Sequence, residues 1–259
     1  MVASQIPAAV PYAWPSDASF SRETTALVII DMQNDFCTDG GYMTHQGHDI
    51  SGARAIIPGI QALLHAFREV GWQVYHTREG HRADLSTLSP REAFRSRNNP
   101  SGQGIGAPSP LGGRLLIRGG KGHDIIPELY PAEGEPIVDK AGKGAFANTD
   151  FELLLRNRGI RNLLIAGVTT DVCVSTTVRE ASDRGFDCAV LKDACASVHV
   201  ALHEATLSSI AGEGGIFGTV LAVENVLEAM GQAAAYASFL RAAPWPGPGE
   251  TKIAEPLQQ

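Results

Sequence analysis

The sequence has little of what a secreted, membrane-bound or nucleic-acid-binding protein would need. Its four cysteines are dispersed and form no CxxC pair, which argues against a disulfide framework and a cysteine-rich zinc site. The formal net charge is -7, whereas nucleic-acid phosphates bind basic stripes. No apolar run approaches membrane-spanning length, and the N-terminus lacks the pattern of a signal peptide. We therefore expect a cytoplasmic protein whose partner is a small molecule, with no nucleic acid and no membrane.

Length and composition predict one large domain with an arm at either end. Hydrophobic residues make up 44% and charged residues 19% of the 259 residues, which is typical of a soluble globular protein. Both ends are rich in proline and small polar residues. We assign residues 1–20 to an N-terminal arm, residues 21–235 to the domain and residues 236–259 to a C-terminal tail. The arms are expected to lie over the body or over a neighbouring subunit.

Short apolar runs alternate with helical patterns along the domain. The apolar runs cover residues 26–31, 72–77, 135–139, 161–168, 186–193 and 216–222, and the helical patterns cover residues 59–71, 150–160, 172–185, 200–212 and 223–232. Apolar strands between helices predict a mainly parallel sheet covered on both faces, which is a three-layer α/β/α sandwich of the Rossmann-like kind. Residues 81–122 carry little periodicity and predict a long irregular excursion of the type that often covers a site.

Three reactive side chains follow predicted strands. Ligands of open α/β sheets bind beyond the carboxyl ends of the strands, where Asp31, Lys143 and Cys173 are expected to lie. A thiol at a helix N-terminus is shifted toward thiolate by the helix dipole and by a nearby ammonium, which Lys143 offers. Asp31 is suited to take the thiol proton and return it to a leaving nitrogen. Taken singly, each residue has a structural alternative: a buried small side chain for Cys173, a cap for Asp31 and a solvated loop lysine for Lys143.

Three segments around these residues resemble one known family. IIDMQNDF, DKAGKGAF and GVTTDVCVSTTVREASDRG are similar to the signature segments of the isochorismatase-like cysteine hydrolases, and the resemblance runs from about residue 12 to residue 232. Within that family, PYAWP, HTREGHR, DIIPELYP and the GGxFG segment near Gly214 resemble biuret and triuret hydrolases. Three segments in the right order on the right elements are a far more specific signal than any one of them.

The resemblance implies a role for each of the three residues. Asp31 is implied as the general base, Lys143 as the stabilising cation and Cys173 as the nucleophile. A cis peptide between Val168 and Thr169 is also implied, with backbone groups of Val168, Thr169 and Cys173 forming the oxyanion site. The reaction would pass through a covalent thioester-type intermediate that releases ammonia and is then hydrolysed by water.

Further residues are expected to contact the substrate. Phe36 is a candidate pocket wall, with an ordinary core position as the alternative. Arg78, Glu79 and His81 are expected to line the pocket mouth or, alternatively, to form a hydrogen-bonded surface cluster. Glu213 stands where the similar biuret hydrolases carry glutamine, and an ionised carboxylate only accepts hydrogen bonds, which favours triuret and disfavours a substrate ending in a carboxylate. A solvent-facing glutamate is the alternative for Glu213.

Neither a metal nor a cofactor is expected. Nicotinamidases of the similar family hold a metal with an Asp-x-His…His pattern, and no aspartate precedes His76 at that spacing here, which leaves too few ligands. Cys37, Cys188 and Cys195 lack a reactive context and are expected to be structural.

The sequence thus predicts a cysteine-dependent amidohydrolase that cleaves a terminal C–N bond of a small linear ureido compound, triuret or biuret. Ureidoacrylate and N-carbamoyl amino acids are alternative substrates within that class. Isochorismate hydrolysis is a less favoured alternative because it would leave Cys173 idle, and a non-catalytic binding protein is another. Members of the similar family are commonly homo-oligomers, and we favour a tetramer.

Overall fold

The computed structural model describes residues 3–232, and its centre is one six-stranded parallel sheet. The strands are β1 (Thr25–Ile30), β2 (Gln73–Glu79), β3 (Ile137–Lys140), β4 (Asn162–Val168), β5 (Asp187–Ala196) and β6 (Thr219–Leu221). Their order across the sheet is β3-β2-β1-β4-β5-β6, so the strand order reverses between β1 and β4. That reversal opens a crevice at the carboxyl ends of β1 and β4, where ligands of such sheets bind.

Helices cover both faces of this sheet, as the sequence predicts. They are α1 (Asn34–Cys37), α2 (Tyr42–His45), α3 (Ser51–Ala55), α4 (Ile57–Glu69), α5 (Pro90–Ser96), α6 (Phe151–Asn157), α7 (Ser175–Asp183), α8 (Val200–Gly215) and α9 (Val223–Ala229). A 3-10 turn at Pro127–Leu129 and a π-helical turn at Thr170–Val174 complete the elements. The architecture is the predicted three-layer α/β/α sandwich.

The core is divided by the sheet because successive strand residues point to opposite faces. Along β1, Leu27 and Ile29 belong to the apolar cluster on one face, while Val28 and Ile30 belong to the cluster on the other. All six residues of β1 are buried, as expected for a central parallel strand. Buried side chains of α4 and α9 join the first cluster and those of α6 and α7 join the second.

The N-terminal segment packs along the body. Val10 pairs with Val220 of β6, and the hydroxyl of Tyr12 donates a 2.8 Å hydrogen bond to Asp187 at the start of β5. Trp14 is fully buried in the apolar cluster. The expected C-terminal tail, residues 236–259, lies outside the described residues. Between residues 3 and 232, no helix is both long and apolar enough to cross a membrane.

Candidate active site

Asp31 stands at the end of β1 with its side chain completely buried. Its backbone has a φ of 52°, in the left-handed region that aspartate tolerates better than most residues. The hydroxyl of Thr77 donates a 2.6 Å hydrogen bond to Oδ1. Burial raises the pKa of Asp31, and a neighbouring ammonium opposes this shift only in part. The carboxylate is therefore held in place and is a good proton acceptor.

The ammonium beside Asp31 belongs to Lys140, the last residue of β3. Its Nζ lies 2.7 Å from Oδ2 of Asp31 and 3.1 Å from the carbonyl oxygen of Gly142. The side chain is fully buried. Burial alone would lower the pKa of Lys140, but Asp31 and the other acidic groups nearby raise it overall, so the ammonium stays charged. A buried ion pair thus links β1 to β3 across the end of β2.

Cys173 lies in the π-helical turn between β4 and α7 and is 4% exposed. The backbone enters this turn through a cis peptide between Val168 and Thr169, as the resemblance implied. Gly167 precedes that bond with a φ of 113°, and a Cβ there would lie 2.1 Å from the carbonyl oxygen of Ile30. The absence of a side chain at Gly167 therefore allows β4 to approach β1 closely at the site.

A second carboxylate, that of Glu79, contacts the sulfur of Cys173. Oε2 of Glu79 lies 3.3 Å from Sγ, and Oε1 accepts a 2.6 Å hydrogen bond from Nζ of Lys143. Lys143 also donates to Glu92 of α5 at 2.9 Å. Burial opposes the ionised form of Glu79, but Lys140 and Lys143 outweigh it and lower the pKa of Glu79. This candidate centre therefore contains two carboxylates and two ammonium groups around one thiol.

A cavity of about 260 Å³ opens onto this centre. Cys173, Thr169 and Glu79 lie at its base. Phe36 from α1 and Arg95 from α5 contribute to its walls. The volume admits a small organic molecule, and α5, which supplies Arg95, belongs to the excursion that the sequence predicts over a site.

Residues 25–225 match the family model described as Isochorismatase domain. The chain belongs to this isochorismatase family. It is therefore a hydrolase, and Cys173 in the turn after β4 marks it as similar to the cysteine hydrolases within the family.

Relatives and solved structures agree with this assignment. The chain is 32% identical over 220 residues to the ureidoacrylate amidohydrolase RutB of Agrobacterium fabrum, covering 85% of this chain and 96% of that protein. A cysteine hydrolase structure from Pseudomonas syringae pv. phaseolicola superposes with a TM-score of 0.69 at 26% identity, covering 83% of this chain and 95% of the other. The nicotinamidase/pyrazinamidase PncA of Bacillus subtilis gives a TM-score of 0.60 at 30% identity, with 76% and 98% covered.

The lysine beside Asp31 is Lys140, not Lys143 as the sequence analysis expects. Among the ion pairs of residues 3–232, Asp31 pairs with Lys140, whereas Lys143 pairs with Glu79 and Glu92. The physical reason is that β3 continues one residue beyond the predicted run. Lys140 is thereby placed in register with Glu79 at the strand end. Lys143 lies three residues further on in the turn, and its side chain is 30% exposed.

Arg78 is also corrected, because it points away from the cavity. Neighbouring strand residues face opposite sides, so Arg78 points away from the face that Glu79 occupies. Its guanidinium pairs with Asp139 at 2.8 Å and with Asp124 at 3.2 Å. Asp139 is the register partner of Arg78 on β3. This arrangement corresponds to the hydrogen-bonded cluster that was the alternative for Arg78.

His81 and Glu213 are likewise absent from the cavity wall of the described chain. His81 is buried beneath the excursion, where its Nδ1 lies 3.3 Å from the hydroxyl of Thr87. Glu213 is exposed at a kink in α8, where Glu213 and Gly214 both have positive φ angles. The kink turns Glu213 toward solvent, which is the alternative given for this residue. The argument that its charge selects triuret therefore no longer applies.

The remaining expected residues lie at the cavity or next to it. Phe36 and Thr169 line it, and Val168 is buried immediately before Thr169. Cys37, Cys188 and Cys195 are buried free thiols. A sequence signal was available for Lys140, since it follows a predicted strand directly, as Asp31 follows β1. Arg95 had no such signal, because α5 lies in a segment without clear periodicity.

Asp31, Glu79 and Cys173 offer three ligand-type atoms within 4.8 Å of one another. Such a set of oxygen and sulfur atoms resembles the ligands of a small cation site. Here, however, Lys140 and Lys143 already place positive charge against both carboxylates. The two ammonium groups supply the charge balance that a metal ion would otherwise provide.

Proposed function

We propose that this protein is a cysteine-dependent amidohydrolase that releases ammonia from a small ureido compound. The observation that carries the proposal is the thiol of Cys173 at the base of a cavity, beside the buried pair of Asp31 and Lys140. A nucleophile, a base and a residue that orients the base are the three parts of covalent amide hydrolysis. In this assignment Lys140 replaces Lys143 as the stabilising cation.

Acylation begins with attack by Sγ of Cys173 on the terminal carbonyl carbon. The S–C bond forms while the S–H bond breaks, and the proton passes to Asp31, whose pKa is raised by burial. The backbone N–H groups of Thr169 and Cys173 are the proposed donors to the oxyanion, each worth about 3 kcal/mol. As the intermediate collapses, the C–N bond breaks and Asp31 returns the proton to the departing nitrogen, which leaves as ammonia.

Deacylation uses the same groups in reverse. Asp31, again ionised, removes a proton from water as the water oxygen attacks the thioester carbon. The C–S bond breaks, and the proton returns to the sulfur of Cys173. Lys140 orients Asp31 and compensates its charge, because its Nζ lies 2.7 Å from Oδ2 and both side chains are fully buried.

The relatives favour a ureido compound that carries a carboxylate. The similar RutB proteins are named ureidoacrylate amidohydrolases, so ureidoacrylate is the first candidate substrate, ahead of triuret and biuret. The objection to a carboxylate rested on Glu213, which is exposed and outside the cavity. The cavity wall instead carries the cationic side chains of Arg95 and Lys143. Both cations attract a substrate carboxylate, which would compete with the protein carboxylates they already bind, Glu79 and Glu92 for Lys143 and Glu92 for Arg95.

The test is ammonia release by the purified protein from ureidoacrylate, biuret, triuret, N-carbamoylsarcosine and nicotinamide. We expect the highest kcat/KM with ureidoacrylate and loss of turnover in the Cys173→Ser variant. Cys188→Ser serves as the matched control, because it removes a buried free thiol near the amino end of β5, whereas Cys173 follows the carboxyl end of β4. Ammonia release that persists in Cys173→Ser would contradict the mechanism. A preference for triuret or biuret would contradict the substrate assignment alone.

A further inference from the structure

Among the described residues, the thiol of Cys173 is hydrogen-bonded to Glu79 and not to Asp31, the proposed base. Oε2 of Glu79 is at hydrogen-bond distance from Sγ, 3.3 Å. The oxygen of Asp31 belongs to the same cluster, within 4.8 Å, but among the described residues no hydrogen bond joins it to the thiol. A carboxylate oxygen can only accept, so the thiol is the donor in the contact with Glu79.

Charged groups face this thiol from every element packed against it. The nearest are the carboxylates of Asp31 and Glu79, and the ammonium groups of Lys140 and Lys143. Further out, the cavity lining also includes Arg95, Asp171, His48 and His199. Glu92 of α5 binds both Lys143 and Arg95. The positive and negative charges closest to the sulfur are equal in number.

An ionised carboxylate in contact with a thiol opposes thiolate formation. Two like charges about 3.3 Å apart between buried side chains repel strongly, and the S–H group would lose its hydrogen bond on ionising. Burial and the charges of Asp31 and Glu79 raise the pKa of Cys173 well above its usual range, against the pull of Lys140 and Lys143. The helix N-terminus does not make this cysteine a free thiolate.

We propose that Glu79 is a further catalytic residue, which holds Cys173 as a neutral thiol in the free enzyme by accepting its hydrogen bond and placing a negative charge beside the sulfur. The inference rests on the proposed role of Cys173 as nucleophile. Deprotonation then accompanies attack, when the developing negative charge moves from sulfur to the carbonyl oxygen and the proton goes to Asp31. A resting thiol is also less readily oxidised or alkylated than a resting thiolate.

The test measures alkylation of Cys173 by iodoacetamide as a function of pH, with the labelled cysteine identified by peptide mapping. In wild type we expect an apparent pKa above about 8.5, the value of a free thiol. In Glu79→Gln we expect that pKa to fall by at least about one unit. The thiolate fraction then rises about tenfold, the thiolate loses about 2.5-fold in nucleophilicity, and alkylation at pH 7.5 becomes about fourfold faster.

Glu92→Gln is the matched control, because Glu92 makes the same type of hydrogen bond to Lys143 but is not bonded to the sulfur. Because Glu92 acts on the sulfur only through Lys143, the alkylation pKa should shift clearly less in Glu92→Gln than in Glu79→Gln. The proposal is overturned by a wild-type pKa below about 8.5, by an unchanged or slower reaction in Glu79→Gln, or by equal shifts in both variants. The wild-type measurement needs no variant to fold, and the assay needs no substrate. Failure of the ammonia assay would therefore be distinguishable from failure here.

Discussion

Replacing Lys140 with methionine should destabilise the protein in a pH-dependent way. Both members of the Lys140–Asp31 pair are fully buried, so the variant leaves a carboxylate without its counter-charge. Removing one partner of a buried pair costs about 3–5 kcal/mol. Asp31 can instead take up a proton. At pH 7, about three pH units above the ordinary pKa of aspartate, protonating the carboxylate costs at most about 4 kcal/mol. Both estimates therefore give a decrease of up to about 4 kcal/mol in the free energy of unfolding at pH 7.

The sign of the pH dependence follows from linkage. Without Lys140, the folded-state pKa of Asp31 rises further above its unfolded value, so the folded variant binds a proton that the unfolded chain has lost. The stabilisation from that proton is fully present below about pH 3.9 and is lost as the pH rises toward the folded pKa. Because the pKa of Asp31 is already raised in wild type, wild type shares part of this loss, and the difference between the two proteins should narrow from pH 7 to pH 5 by at most about 2.7 kcal/mol.

Urea denaturation followed by tryptophan fluorescence at pH 5, 6 and 7 measures this difference, at one protein concentration throughout. Lys192→Met is the control for the same substitution at an exposed position of β5, where we expect a change within about 0.5 kcal/mol. A loss for Lys140→Met that is below about 1 kcal/mol at pH 7, or that does not vary with pH, would refute the reasoning.

Two further predictions address Glu213 and Asp35. Glu213→Gln should change kcat/KM by less than about twofold, because the side chain is exposed and outside the cavity; a larger change in ammonia release would return Glu213 to the binding site. Burial raises the pKa of Asp35 to about 6, against the backbone N–H groups of Leu116 and Tyr42. Because this folded pKa exceeds the unfolded value, wild type should lose up to about 3 kcal/mol relative to Asp35→Asn between pH 4 and pH 6, and a constant gap in urea midpoints would contradict it.

Most of the fold follows from the sequence because each strand is an apolar run bounded by polar residues. The runs that form β1 and β4 are buried along their whole length, and hydrophobic periodicity therefore identifies them well. Asp31 and Cys173 could be predicted for a related reason, since Asp31 directly follows β1 and Cys173 lies in the turn between β4 and α7. Both residues were expected at the carboxyl edge, and both lie there.

The choice between two lysines could not be made in the same way. Lys140 and Lys143 occur in one glycine-rich turn, and strand ends are uncertain by more than one residue in a sequence. The register of β3 against β2 places Lys140 at the strand end and buries it, and this register depends on contacts distant in sequence. The prediction that Glu213 contacts the substrate was wrong for another reason. A helical pattern in a sequence does not reveal a positive φ angle at a non-glycine residue.

Two groups of charges bear on different properties of the site: the charges around Cys173 on the reaction, and the Arg95–Glu92 pair on the choice of substrate. Around Cys173, the charges of Asp31 and Glu79 are matched by those of Lys140 and Lys143, and we expect this balanced set to suit an uncharged amide or ureido carbonyl. On the wall, Arg95 is held by Glu92 at 2.5 Å and is 43% exposed. A substrate carboxylate such as that of ureidoacrylate would bind Arg95 in competition with Glu92. We therefore expect the charges beside Cys173 to govern the reaction step and the Arg95–Glu92 pair on α5 to govern the choice of substrate.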